Sequence, residues 1–191
     1  MPDNVLTSLN WLDLVMIIVV ASAIFRGAVQ GFVVELFKIL GVFVSTVFSL
    51  HFYVRAADYL KHSFSVPTKV GEIASFVIIA VFIILLFRLV GQGWLLILKV
   101  DAKAGFSPWG GGFLAFISSM MICGLLFFGM LLIGNQTIAK FAKNSFSGHY
   151  LLDLSPKVYT ATYDGLIVPF FPDEVFNQKV SETVEKEPVS K

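Results

Sequence analysis

Three charged residues, Glu35, Lys38 and Arg88, lie in or beside long apolar runs. A charge at the centre of a membrane helix costs about 2.5–3.5 kcal/mol on insertion scales, so each needs a partner, an exit to the headgroups or a task. Glu35 and Lys38 are three residues apart, on one face of a helix, where they can pair. Arg88 stands towards the end of its run and can extend its guanidinium to the interface. On this reading the three are structural anchors. The sharper alternative is a polar route for an ion, proton or small solute, which would make the chain a transport component or channel subunit. Other chemistry is thin. His51 and His62 would share a helical face about 16 Å apart, too far for one metal ion, and His149 stands alone. The single cysteine, Cys123, excludes an internal disulfide and a cysteine-based zinc site. No H-E-x-x-H, Walker-type loop or G-x-S-x-G occurs, and Gly91-Gln92-Gly93 lacks the rest of a phosphate-binding loop. The expectation is no enzyme, no cofactor and no metal.

A second pattern concerns packing. Gly111, Ala115, Ser119 and Cys123 recur every four residues, as do Gly41, Ser45 and Ser49, and Ala23, Gly27 and Gly31. Lipid gives helices no hydrophobic reason to pair, so flat faces that let backbones approach must supply the attraction. Such faces serve either packing within one chain or an interface with a second copy or another membrane protein.

These residues sit on elements that bulk composition already defines. Of 191 residues 57% are apolar and 14% charged, against roughly 45–50% and about 25% in soluble domains. The excess falls in runs long enough to cross a bilayer as helices. The expected spans are residues 12–29, 32–52, 73–98 and 110–133, with Trp11 at headgroup level. Residues 12–52 as one helix would run about 61 Å, twice the membrane core. The chain therefore breaks near Gly27 and Gly31, and the short connection implies neighbouring, antiparallel helices. Pro67 breaks the polar connection 51–72, in which residues 53–60 can continue as an amphipathic helix. Ser107 before Pro108 suits a helix start. Residues 135–172 read as short interfacial helices, and residues 173–191 as a disordered tail too polar to bury. Ala21-Ser22-Ala23 resembles a signal-peptidase site, but residues 1–12 hold no Lys or Arg, so the first helix is expected to stay. The fold class is all-α: a polytopic bundle of four transmembrane helices, residues 1–134, with the bilayer as its surroundings. A net charge of +1 with scattered Lys and Arg leaves no footprint for nucleic acid. Arg26, Lys99 and Lys103 in the first and third connections favour a cytoplasmic position for those turns and both termini outside, against Arg55, Lys61 and Lys69 in the second.

The motifs also carry a family likeness. Trp11-Leu12-Asp13 resembles the W-[IL]-D start of the colicin V production protein family of bacterial inner-membrane proteins. Gly27-Ala28-Val29-Gln30-Gly31-Phe32-Val33-Val34-Glu35 is similar to its G-x-x-[RK]-G-F-x-x-E segment, and residues 107–116 to its polar entry to the fourth span. Residues 144–145 and 151–156 resemble its C-terminal close. Gln30 stands where that family usually has a basic residue, Ala115 where glycine is common, and Ser118 where Lys or Arg often falls. The resemblance spans residues 10–165 and implies a multi-pass inner-membrane protein needed to produce or export a toxin, without implying a reaction. It singles out Asp13, Gly27, Gly31, Phe32, Glu35, Gly111 and Ala115. The expected function is a non-enzymatic role in toxin production, export or envelope homeostasis through helix-mediated assembly. A third reading makes residues 173–191 a tether for a soluble partner.

Overall fold

The computed structural model describes residues 10–98 and 108–185. Four long helices dominate: α1 (Trp11–Gln30), α2 (Phe32–Phe64), α3 (Thr68–Leu98) and α4 (Pro108–Leu132). All four are long and apolar enough to cross a membrane, and no strand occurs among the described residues. Short helices follow: α5 (Gln136–Asn144), α6 (Phe146–Leu151) and α7 (Leu154–Thr162). A π-helical turn (Tyr163–Ile167), α8 (Val168–Phe170) and α9 (Gln178–Glu185) complete the chain.

Local chemistry sets the ends. Asn10 caps α1, accepting from the Trp11 amide at 2.8 Å, while its own amide donates to Asp13 Oδ2 at 2.8 Å. The two side chains thus satisfy donors that an α-helix leaves open at its start. Gly31 separates α1 from α2 by a single residue. Ser65, in left-handed conformation (φ 54°), ends α2 two residues before Pro67. The cap proposed at Ser107 lies outside the described residues.

Two helices run beyond the expected spans: α2 continues through residues 53–60, where a helical continuation was expected, to Phe64, and α3 begins at Thr68. α2 covers 33 residues, about 50 Å, and α3 covers 31, about 46 Å. Apolar composition marks only the part that meets lipid; helical hydrogen bonding runs on through polar residues until a breaker intervenes. The α2–α3 hairpin therefore extends roughly 15–20 Å past a 30 Å core. Its two helices keep one antiparallel register, set by small residues facing large ones. Cβ atoms placed on Gly91, Gly41 and Gly71 would fall 2.9 Å from Phe37, 2.6 Å from Phe87 and 3.4 Å from the Ala57 carbonyl oxygen. Ser45 Oγ donates across the pair to the Ala80 carbonyl at 3.1 Å.

The expected pairing of the first two helices is also corrected. α1 packs mainly on α4, which lies inside the bundle, and touches α2 far less. A one-residue connection reverses the chain but cannot choose its neighbour; the small face of α4 does. Gly111, Ala115, Ser119 and Cys123 are all buried, so that face is used within the chain.

The tail differs from its expected disorder as well. Residues 173–185 return to the bundle: Val180 is buried beside Tyr53 and Leu125, and Lys179 Nζ pairs with Glu72 Oε1 at 2.7 Å. The segment is polar in composition, but its few apolar side chains, Phe176, Val180 and Val184, fall where the protruding hairpin offers a surface.

Candidate functional site

The densest meeting of predicted residues is the elbow between α1 and α2. Gly31 adopts φ 90° and ψ 166°, a backbone region that L side chains essentially never occupy. Its amide closes α1 on the Gly27 carbonyl at 3.1 Å, and its carbonyl opens α2 by accepting from the Glu35 amide at 3.4 Å. α4 enters this elbow. A Cβ on Gly27 would sit 2.8 Å from the Gly111 carbonyl oxygen and collide with the Ala115 methyl; one on Gly111 would collide with the Gly27 carbonyl. Phe32 covers Gly110 from above.

Beneath the elbow Glu35 is wholly buried, its carboxyl carbon 3.2 Å from where a Gly27 Cβ would be. Glu35 Oε1 accepts from Lys38 Nζ at 2.5 Å, and Lys38 also donates to Gln30 Oε1 at 3.0 Å. Gln30, standing where a basic residue is usual, thus serves as an acceptor for Lys38. Glu35 Oε2 has no hydrogen-bond partner among the described residues. The elbow therefore brings together Gly27, Gly31, Phe32, Glu35, Lys38, Gly111 and Ala115. Arg88 on α3 borders a cleft with Lys38 and Arg26 but lies outside the elbow's packed interior. Ser118, where a basic residue is common, is buried and donates to the Ala115 carbonyl at 3.1 Å.

Asp13 lies at the opposite end. Besides capping α1, it accepts from the Ser147 amide at 2.7 Å and the Phe146 amide at 3.2 Å, the first two amides of α6. One buried carboxylate thus caps two helices and ties the start of α1 to the segment after α4. Asp13→Ala should lower unfolding free energy by about 2 kcal/mol and loosen α6, measured as thermal stability in detergent and as proteolysis near residue 146. An unchanged cleavage pattern would contradict the tie.

A second polar cluster was invisible in sequence. His51 Nδ1 lies 3.0 Å from the Tyr159 hydroxyl and Nε2 lies 3.2 Å from Glu174 Oε2. Arg55 Nη2 donates to the same carboxylate oxygen at 2.6 Å, and Tyr163 donates to the Glu174 carbonyl at 2.5 Å. Asn177 donates from its amide to Tyr159 at 3.1 Å and from Nδ2 to the Leu50 carbonyl at 2.7 Å. The His51 ring thus bridges the Tyr159 hydroxyl and the Glu174 carboxylate through its two nitrogens, whose donor and acceptor roles depend on the tautomer. His51 is a latch between α2 and the C-terminal segment, and not an idle histidine. The pairing spans 108 and 123 residues, beyond any local spacing rule; the one available signal was a histidine at the end of an apolar run. Burial pushes the Tyr159 phenol up. Hydrogen bonds from Arg55 and then His51 hold the Glu174 carboxyl below its ordinary 4.5.

That direction fixes a pH dependence. A depressed acid stabilises the latch above its ordinary value, and the contribution is lost as pH falls through the folded value, below about 4.5. A fluorophore on a cysteine replacing the exposed Val175 should report no release between pH 7 and 5 and release below about 4.5. The same probe in a Glu174→Gln background should be loosened throughout and lack that transition. A wild-type transition centred above pH 5 would contradict the assignment.

Compared with known proteins, the chain matches neither a curated protein nor a solved structure. A family model does match, described as "Colicin V production protein", over residues 12–156. The matched range runs from the Asp13 cap through the elbow and all four long helices to α7, so the chain belongs to the colicin V production protein family.

Proposed function

We propose that this protein is a non-enzymatic component of the bacterial inner membrane, serving production or export of a colicin V-type toxin or envelope homeostasis by assembling with other membrane helices. The supporting observation is how its polar and apolar surfaces are divided. Asp13, Glu35 and His51 are buried and bound to other parts of the same chain. Only 22% of the apolar core of α1, and of α3, is buried, against 56% in α4. Ile17, Ile18 and Phe25 on α1 and Ile78, Phe82 and Leu89 on α3 are exposed. Those faces, together with Leu40 and Phe48 of α2 and Phe113 and Leu126 of α4, and not the small-residue stripes already used inside the bundle, are the surfaces left for lipid, a second copy or another membrane protein.

Charge supports an orientation with the elbow in the cytoplasm and both termini outside. At the elbow end Arg26, Lys38 and Arg88 are joined in sequence by Lys99 and Lys103, against Glu35 and Asp101. At the other end Arg55, Lys157 and Lys179 are paired with Glu174, Asp153 and Glu72, which leaves Lys61 and Lys69 as the charges that weigh the other way. Free positive charge favours the cytoplasmic side. In a deletion strain carrying a colicin V-type toxin, the wild-type chain should restore secretion and Gly27→Leu should not, while purified protein in liposomes should conduct no ions. Charge-dependent flux abolished by Glu35→Gln would overturn the reading in favour of transport.

A further inference from the structure

The cleft beside the elbow is lined by Arg26 and Gln30 of α1, Lys38 of α2, and Arg88 and Gln92 of α3, and holds about 280 Å³. Three helices supply it, and the reciprocal contacts of Gly91 with Phe37 and Gly41 with Phe87 fix the α3 residues against Lys38. Its charge is unbalanced. Lys38 is paired with Glu35, and Glu35 is the one acid among the described residues at this end of the bundle. Among the described residues Arg26 uses only Nε, on the Ser22 carbonyl at 3.1 Å. Arg88 makes no hydrogen bond or ion pair among the described residues. Two guanidinium groups therefore border one cleft with most of their donors open towards the described residues.

Depth and surroundings narrow the occupant. Arg26 lies four residues before the end of α1, about 6 Å below the elbow, near the level of lipid phosphates and glycerol esters. Guanidinium forks match phosphate oxygens in pairs, and basic pockets between membrane helices suit anionic headgroups. The cleft also takes in Val34 and Phe37, and the residues next to the arginines in sequence are apolar and open, Phe25 at 73% and Leu89 at 66% exposed, as acyl chains leaving the cleft would require. We propose that this cleft binds a phosphate-bearing anion, and that the anion is the headgroup of an anionic phospholipid. Soluble phosphate esters share the recognising chemistry; the apolar flanks favour the lipid. The assignment is independent of the proposed role in assembly, since it concerns which lipid is held and not what the bundle touches.

The test uses full-length protein, delipidated in neutral detergent and examined by native mass spectrometry with phosphatidylglycerol, phosphatidylethanolamine or glycerol phosphate. Wild type should retain phosphatidylglycerol about tenfold better than phosphatidylethanolamine. The Arg26→Gln/Arg88→Gln double variant should lose that preference, whereas Arg88→Lys should keep most of it, as should Lys61→Gln at the far end of α2. Glycerol phosphate that binds with the same arginine dependence and displaces the lipid would uphold the phosphate site but assign it a soluble occupant. Equal retention of both lipids by wild type together with no binding of glycerol phosphate, or a preference unchanged in the double variant, would overturn the proposal. The wild-type comparison needs no variant to fold.

Discussion

Gly27→Leu is expected to abolish the folded bundle or cost it more than about 3 kcal/mol, the upper range of overpacking. The side chain would have to occupy space already taken by the Gly111 carbonyl and the Ala115 methyl. Both belong to α4 near its start, so relief requires α1 to leave α4. That would uncover Glu35, whose carboxyl group lies in the same space. Gly31→Leu acts differently, because it forces a leucine into φ 90° at a cost of about 1–3 kcal/mol. Glycine substitution is not harmful in itself. Among the described residues a Cβ on Gly93 or Gly165 meets nothing within 4 Å, so Gly93→Leu in α3 should be tolerated and can gain from leucine's better helix propensity. Thermal unfolding followed by size exclusion in detergent should rank the three as Gly27→Leu worst, Gly31→Leu next and Gly93→Leu near wild type. Equal behaviour of Gly27→Leu and Gly93→Leu would refute the elbow as a close-packed joint.

The second large effect is an asymmetry within one ion pair. Lys38→Met should destabilise by about 3 kcal/mol, the range for removing one partner of a buried pair, whereas Glu35→Gln should cost about 1 kcal/mol. The difference follows from burial. Glu35 is wholly enclosed and, among the described residues, has no second partner for Oε2, so without Lys38 its charge is left bare in the protein interior. The Lys38 side chain is 34% exposed and already shares Gln30, so without Glu35 it can turn towards the cleft and the headgroups. Paired melting measurements decide the order. Glu35→Gln proving the costlier of the two would mean that the lysine, and not the carboxylate, is the trapped charge.

What the sequence made legible was what local spacing controls. Apolar runs located four helices, the Gly27 and Gly31 pair located the break, and an i, i+3 spacing joined Glu35 to Lys38. What stayed hidden depends on which surfaces meet. Asp13 reaches α6 across 133 and 134 residues, and nothing near Phe146 announces an acidic partner. α2 runs to Phe64 because no residue before Ser65 stops it, although lipid-crossing composition ends near Phe52. The segment 173–185 looked too polar to bury, yet three apolar side chains and one carboxylate suffice when a protruding hairpin supplies Tyr53, His51 and Arg55.

The central claim is that α1–α4 cross the bilayer, with the elbow on one side and the α2–α3 hairpin, its latch and the C-terminal helix on the other. Single cysteines at Ser63, Ser181 and Gln92, all exposed, can be probed with a membrane-impermeant maleimide on intact spheroplasts and on inverted vesicles; the native Cys123 is buried. Positions 63 and 181 should label together from one side and position 92 only from the other. Labelling of all three from the same side would contradict it.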